Sequence, residues 1–143
     1  MNGIYSNITG ELLHLVYRID ELIQNSKQRQ DLVASDNFIQ LSFLNLSSNQ
    51  SFPAHAHLNR IANFEDYIAQ ESWIVLKGRI EVKFFDLDDA FISKTVLSSG
   101  DCSITLKGGH EYMAISENAA VYEYKNGPYL GREIDKRIIS SNH

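Results

Sequence analysis

The sequence predicts an all-β single domain, a sandwich or small barrel, carrying an N-terminal amphipathic helix. Beyond the polar run Ser26–Asp31, short segments rich in aromatic and β-branched residues follow one another at nearly regular spacing. Clusters of Gly, Ser, Asn and Asp punctuate them, as turns between strands require. The length, 143 residues, suits one ordinary domain with a single hydrophobic core.

From Gly10 to about Gln28 the residues Leu12, Leu13, Val16, Tyr17, Ile19, Leu22 and Ile23 recur at helical spacing, which predicts an amphipathic helix with Asn7 or Thr9 as its cap. Such a helix either covers the domain's own sheet or meets a second copy. Residues 1–35 are therefore expected to form a helical extension packed on the barrel, and 36–143 the barrel itself. Phe38–Leu46 reads as a strand leaving through the turn-forming Ser47–Ser51. Strands are then predicted over Ser72–Leu76, Arg79–Leu87, Phe91–Leu97, Asp101–Leu106, Glu111–Ile115 and Ala120–Lys125. In Arg79–Phe84 the apolar Ile80, Val82 and Phe84 alternate with Arg79, Glu81 and Lys83, so one face is buried and the other wet. The tail 127–139 ends in a strand-like segment suited to pairing with a partner sheet.

The balance of 13 basic against 18 acidic residues gives a net charge of −5, with the basic residues scattered. Without a phosphate-neutralising patch, nucleic-acid binding is not expected. A single cysteine, Cys102, cannot form an internal disulfide, and its position in a strand predicts a buried small hydrophobe. No signal-peptide pattern or membrane-length apolar run is visible, so a cytoplasmic protein without membrane association is expected. Three Asn-x-Ser/Thr matches, at Asn7, Asn45 and Asn49, are read as chance.

The residues with the most chemistry are His55-Ala56-His57, Glu71 and His110. In a strand alternate side chains share a face, so His55 and His57 would point the same way. Three imidazoles and one carboxylate suit Fe(II), Mn(II), Ni(II) or Zn(II), whereas Ca²⁺ and Mg²⁺ prefer oxygen shells. By alternation Trp73 and Val75 share the face of Glu71, and Tyr112 that of His110. In the last strand either Val121, Glu123 and Lys125 or Tyr122 and Tyr124 face inward. The irregular stretch Leu58–Gln70 is a lid or a surface excursion, and it brings Arg60, Glu65, Asp66 and Tyr67 near the candidate site.

His55-Ala56-His57, the Glu71-to-Gly78 spacing, and the later Gly100-Asp101 and Gly108-Gly109-His110 resemble the two motifs of the cupin superfamily over Phe38–Lys125. The resemblance implies a double-stranded β-helix, or jelly-roll, barrel. It also implies a divalent transition metal held by His55, His57, Glu71 and His110, with Trp73, Tyr112, Glu123 and Arg60 lining a substrate pocket. The chain departs from the pattern in the long gap between His57 and Glu71, which leaves Glu65 or Asp66 as alternative fourth ligands. The motif's leading glycine is missing, no proline precedes the second motif's glycine, and His110 falls one residue early. Asp86–Asp89, Gly100–Thr105 and the Gly-Pro-Tyr-x-Gly tail are similar to small cupins of bacterial surface-sugar biosynthesis. The expectations that follow are a sugar or sugar-nucleotide ligand, a homodimer, and either a metal-dependent isomerase or oxygenase, a metal-free sugar isomerase or a non-catalytic sensor.

Overall fold

Short runs of β-branched and aromatic residues between turn-forming clusters recur along this chain. In the computed structural model, which describes residues 2–25, 27–45, 47, 48, 50, 53, 68–126, 131, 133 and 136–139, the chain is organised as short strands. They are β1 (Asn2–Tyr5), β2 (Leu12–Tyr17), β3 (Arg29–Asp31), β4 (Ser42–Leu44), β5 (Glu71–Lys77), β6 (Arg79–Phe85), β7 (Phe91–Ser98), β8 (Cys102–Thr105), β9 (Gly109–Ala114) and β10 (Ala120–Lys125). The helix α1 spans Ile19–Gln24. The protein is thus mostly β, and the segments from Ser72 to Lys125 form strands as expected.

All described strand pairs are antiparallel. They build a five-stranded sheet ordered β1-β2-β8-β5-β10, a three-stranded sheet ordered β7-β6-β9 and the small pair β3-β4. The described strands do not close into one continuous barrel. The chain changes sheet at each connection from β5 onward except the β6–β7 hairpin. Gly78, at φ +79°, makes the first of these corners, and a Cβ there would lie 2.5 Å from Ser116 Oγ.

Two apolar layers result. Val16 and Val75 of the larger sheet meet Ile80, Val82, Phe84 and Leu97 of the smaller one, with Trp73, Tyr112 and Val121 packed against them. Burying a side chain of this size contributes about 1.5–3 kcal/mol. The opposite face of the larger sheet, through Leu15, Tyr17, Cys102 and Ile104, is covered by Leu22 of α1 and by Leu32, Val33 and Ile39.

The expected helix over Gly10–Gln28 is corrected here: it is confined to Ile19–Gln24, and Leu12–Tyr17 is a central strand between β1 and β8. Leu13 to Tyr17 are buried without interruption. A strand buried on both faces reads as a continuous apolar run, and such a run also satisfies helical spacing. Asn7 and Thr9 are not helix caps but lie in the β1–β2 turn, where Ser6 Oγ accepts from the N–H groups of Ile8 and Thr9. At the true helix start, Asp101 Oδ1 accepts from Ile19 N–H at 3.2 Å, and Asp101 also holds Arg18 at 2.7 Å and Ser98 N–H at 2.9 Å. Among the described residues of Phe38–Leu46 the strand is confined to Ser42–Leu44, while Ile39 is pinned by its N–H to the Gln70 side-chain oxygen at 2.9 Å. Cys102 is buried, as expected.

Candidate functional site

Period-two alternation turns Glu71, Trp73 and Val75 of β5 toward the space between the two large sheets, while Ile74 packs on the outer layer. The register sets Thr105 opposite Glu71, Ser103 opposite Trp73, and Glu123 of β10 on the other side of Trp73. From the smaller sheet β9 presents His110 and Tyr112 to the same space.

These side chains form one connected polar network. His110 Nε2 lies 3.3 Å from Glu71 Oε1, and the same oxygen accepts from Trp73 Nε1–H at 2.9 Å. His110 Nδ1 is 2.9 Å from Thr105 Oγ1, which is also 3.1 Å from His14 Nδ1. His14 Nε2 faces the Phe85 carbonyl at 3.3 Å. Trp73 and Tyr112 stack with ring centres 4.1 Å apart and planes within 4°, and the Tyr112 hydroxyl is 2.9 Å from Ser103 Oγ.

Burial and charge set the acidities. Burial alone would raise the Glu71 carboxyl, but the hydrogen bond and charge of His110, the Trp73 N–H and the charge of Lys136 outweigh it, and its pKa is lowered. Burial drives the His14 imidazole down to about 4, against the smaller opposing pull of the Phe85 carbonyl, so the ring is neutral near pH 7. Burial pushes the Tyr112 phenol well above its ordinary value, with Glu71 and Glu123 adding to the effect. Tyr112 is a neutral hydrogen-bonding group here.

Of the residues singled out in the sequence, Glu71, His110, Trp73 and Tyr112 are brought together, with Glu123 beside Trp73 through the β5–β10 register. Val121 packs into the inner layer and Tyr122 and Tyr124 are exposed, which settles the orientation of β10 at those positions. His55, His57 and Arg60, with the alternative ligands Glu65 and Asp66 and most of the stretch Leu58–Gln70, lie outside the described residues. Among the described residues no group of three or more His, Cys, Asp and Glu side chains converges as a metal site. The described pair fits half of such a site: an imidazole nitrogen and a carboxylate oxygen face each other, and the second imidazole nitrogen is anchored, as ligating histidines usually are.

Sequence reasoning missed His14, Ser103 and Thr105. Ser103 and Thr105 were marked by their alternation with Cys102 and Ile104, and His14 by being the one polar residue of the run Leu12–Tyr17. No helix among the described residues is long and apolar enough to cross a membrane. Set against protein-family models, curated proteins and solved structures, the chain matches none.

Proposed function

We propose that this is a small cupin-type protein whose inter-sheet site binds a divalent transition metal and, beside it, a small polar ligand. The observation that carries the reading is the approach of His110 Nε2 to Glu71 Oε1 at 3.3 Å on the inner face of an antiparallel two-sheet fold. In this reading His55 and His57 complete the shell, and the metal is Fe, Mn, Ni or Zn on donor type. A bound metal of this kind polarises a carbonyl or acidifies a water. The chain's own contribution is to hold the two donors: Thr105 orients His110, and Trp73 N–H fixes Glu71.

The ligand class proposed is a sugar or sugar nucleotide. The flat Trp73–Tyr112 stack beside the carboxylate supports it, since a ring with an apolar face and hydroxyl edges suits such a wall. In this reading isomerisation or oxygen chemistry would draw on the bound metal.

A second reading has its own support, because His110 Nε2 and Glu71 Oε1 already face each other at 3.3 Å as an acid and a base would. It makes the pair a metal-free general acid–base dyad acting on a sugar. Elemental analysis of protein purified without an affinity tag separates the two: a stoichiometric transition metal, lost in His57→Ala, supports the first. A metal-free protein that still turns over or binds sugars supports the second.

A homodimer is also proposed, supported by β10, which ends the five-stranded sheet and carries the exposed Tyr122 and Tyr124. Light scattering on wild type and on Tyr122→Glu tests it, the variant being expected to shift toward monomer.

A further inference from the structure

His14 and Thr105 have no place in the ligand set, yet they form a chain of hydrogen bonds ending on His110. Its donors and acceptors can be assigned one after another. The Phe85 carbonyl is an acceptor only, so the nitrogen facing it at 3.3 Å, His14 Nε2, carries a proton. His14, in β2, is fully buried, with Phe84 against its ring at 4.8 Å, and among the described residues no carboxylate is hydrogen-bonded to it. A neutral ring with Nε2–H has a bare Nδ1, and that nitrogen must accept from Thr105 Oγ1–H at 3.1 Å.

The threonine hydroxyl has one proton, and it is now committed. Its oxygen can only accept from the other histidine, so His110 Nδ1 at 2.9 Å carries a proton. A neutral His110 then has its lone pair on Nε2, and what lies 3.3 Å away is a carboxylate oxygen that already accepts from Trp73 Nε1–H. Two lone pairs at that separation repel unless a cation sits between them.

We infer that His14 and Thr105 are positioning residues that lock His110 with its proton on Nδ1, so that His110 Nε2 and Glu71 Oε1 hold a single cation, a proton or a metal ion, between them. Gly108 guards the far end of this chain: a Cβ there would come within 2.6 Å of the Phe85 carbonyl oxygen and 3.3 Å of His14 Nε2. The inference deepens the reading of the site given above. It rests on that reading for the identity of the cation, not for the placement of the protons.

The test is ¹⁵N NMR of the histidine rings in metal-free and zinc-loaded protein. His14 is expected as the neutral Nε2–H form, and His110 with Nδ1 protonated in both samples. Thr105→Val should abolish the Nδ1–H signature of His110 and weaken the binding of zinc, used alone as probe, by about 10- to 100-fold, the usual effect of removing such an orienting group. Thr105→Ser, which keeps the hydroxyl, should restore both. A bare Nδ1 on His110 in wild type overturns the inference whether or not the valine variant folds, as do unchanged His110 ring signals in Thr105→Val. Wild-type protein with the expected protons but no affinity for zinc would uphold the positioning chain and refute the metal reading.

Discussion

Lowering the pH should remove a defined part of the protein's stability through His14. Its imidazole has no exposed surface and a pKa of about 4 in the folded state, against 6.5 when free. Between these values the unfolded chain binds a proton that the folded chain refuses, so stability falls as pH falls. The contribution is fully present above about pH 6.5 and is lost progressively down to about pH 4, below which both states are protonated. At 1.36 kcal/mol per unit of pKa the full loss is about 3 kcal/mol, with about 2 kcal/mol gone by pH 5. Urea unfolding of wild type and His14→Gln at several pH values between 8 and 4 measures it. The glutamine keeps a donor for Phe85 and an acceptor for Thr105 but cannot titrate, and surface carboxylates such as Glu11, Asp31 and Asp89 titrate equally in both proteins. The difference between the two stability curves should therefore fall by about 3 kcal/mol across this range. Parallel curves would refute the assignment of a buried, neutral His14.

Other expectations follow from single contacts. Gly108→Ala combines a positive φ of +77° with a Cβ 2.6 Å from the Phe85 oxygen, whereas Gly10→Ala has a similar φ of +74° and open space; thermal denaturation should show the first costing clearly more than the roughly 1–2 kcal/mol of the second. Asp101→Ala removes the acceptor for Arg18, Ile19 N–H and Ser98 N–H at a site side-chain exposed by only 9%, and should cost about 2–4 kcal/mol by urea unfolding. The Cys102 thiol, pushed up to about 12 by burial and by Asp101, should resist a thiol reagent in native protein and react at once in denaturant. Glu71→Gln weakens the acceptor of the only tryptophan's N–H, so the Trp73 emission spectrum should shift; an unchanged spectrum would place the indole elsewhere.

The strands from β5 to β10 were legible because they are short runs rich in β-branched and aromatic residues, separated by turns rich in Gly, Asn, Asp or Ser, and in one of them polar and apolar residues alternate strictly. Arg79–Phe85 is the clearest case, with Ile80, Val82 and Phe84 buried and Arg79 exposed. The same alternation placed Trp73 with Glu71 and Tyr112 with His110. It failed at Leu12–Tyr17, where both faces are covered and periodicity carries no direction. That misreading also hid His14, since its orientation toward Thr105 exists only in a strand. β3 (Arg29–Asp31) was hidden in a polar run, because a three-residue strand held by pairing with Ser42–Leu44 needs no apolar pattern of its own. The orientation of β10 was undecidable locally and came from its register against β5.

The most direct test of the central claim is a calorimetric zinc titration of wild type, His110→Ala and His57→Ala. If His110 and Glu71 form half of a metal site completed by the His-x-His pair, wild type binds zinc at a single site and each alanine variant loses it. Equal zinc binding by all three proteins would contradict the claim, and would leave the His110–Glu71 pair as a site that works without metal.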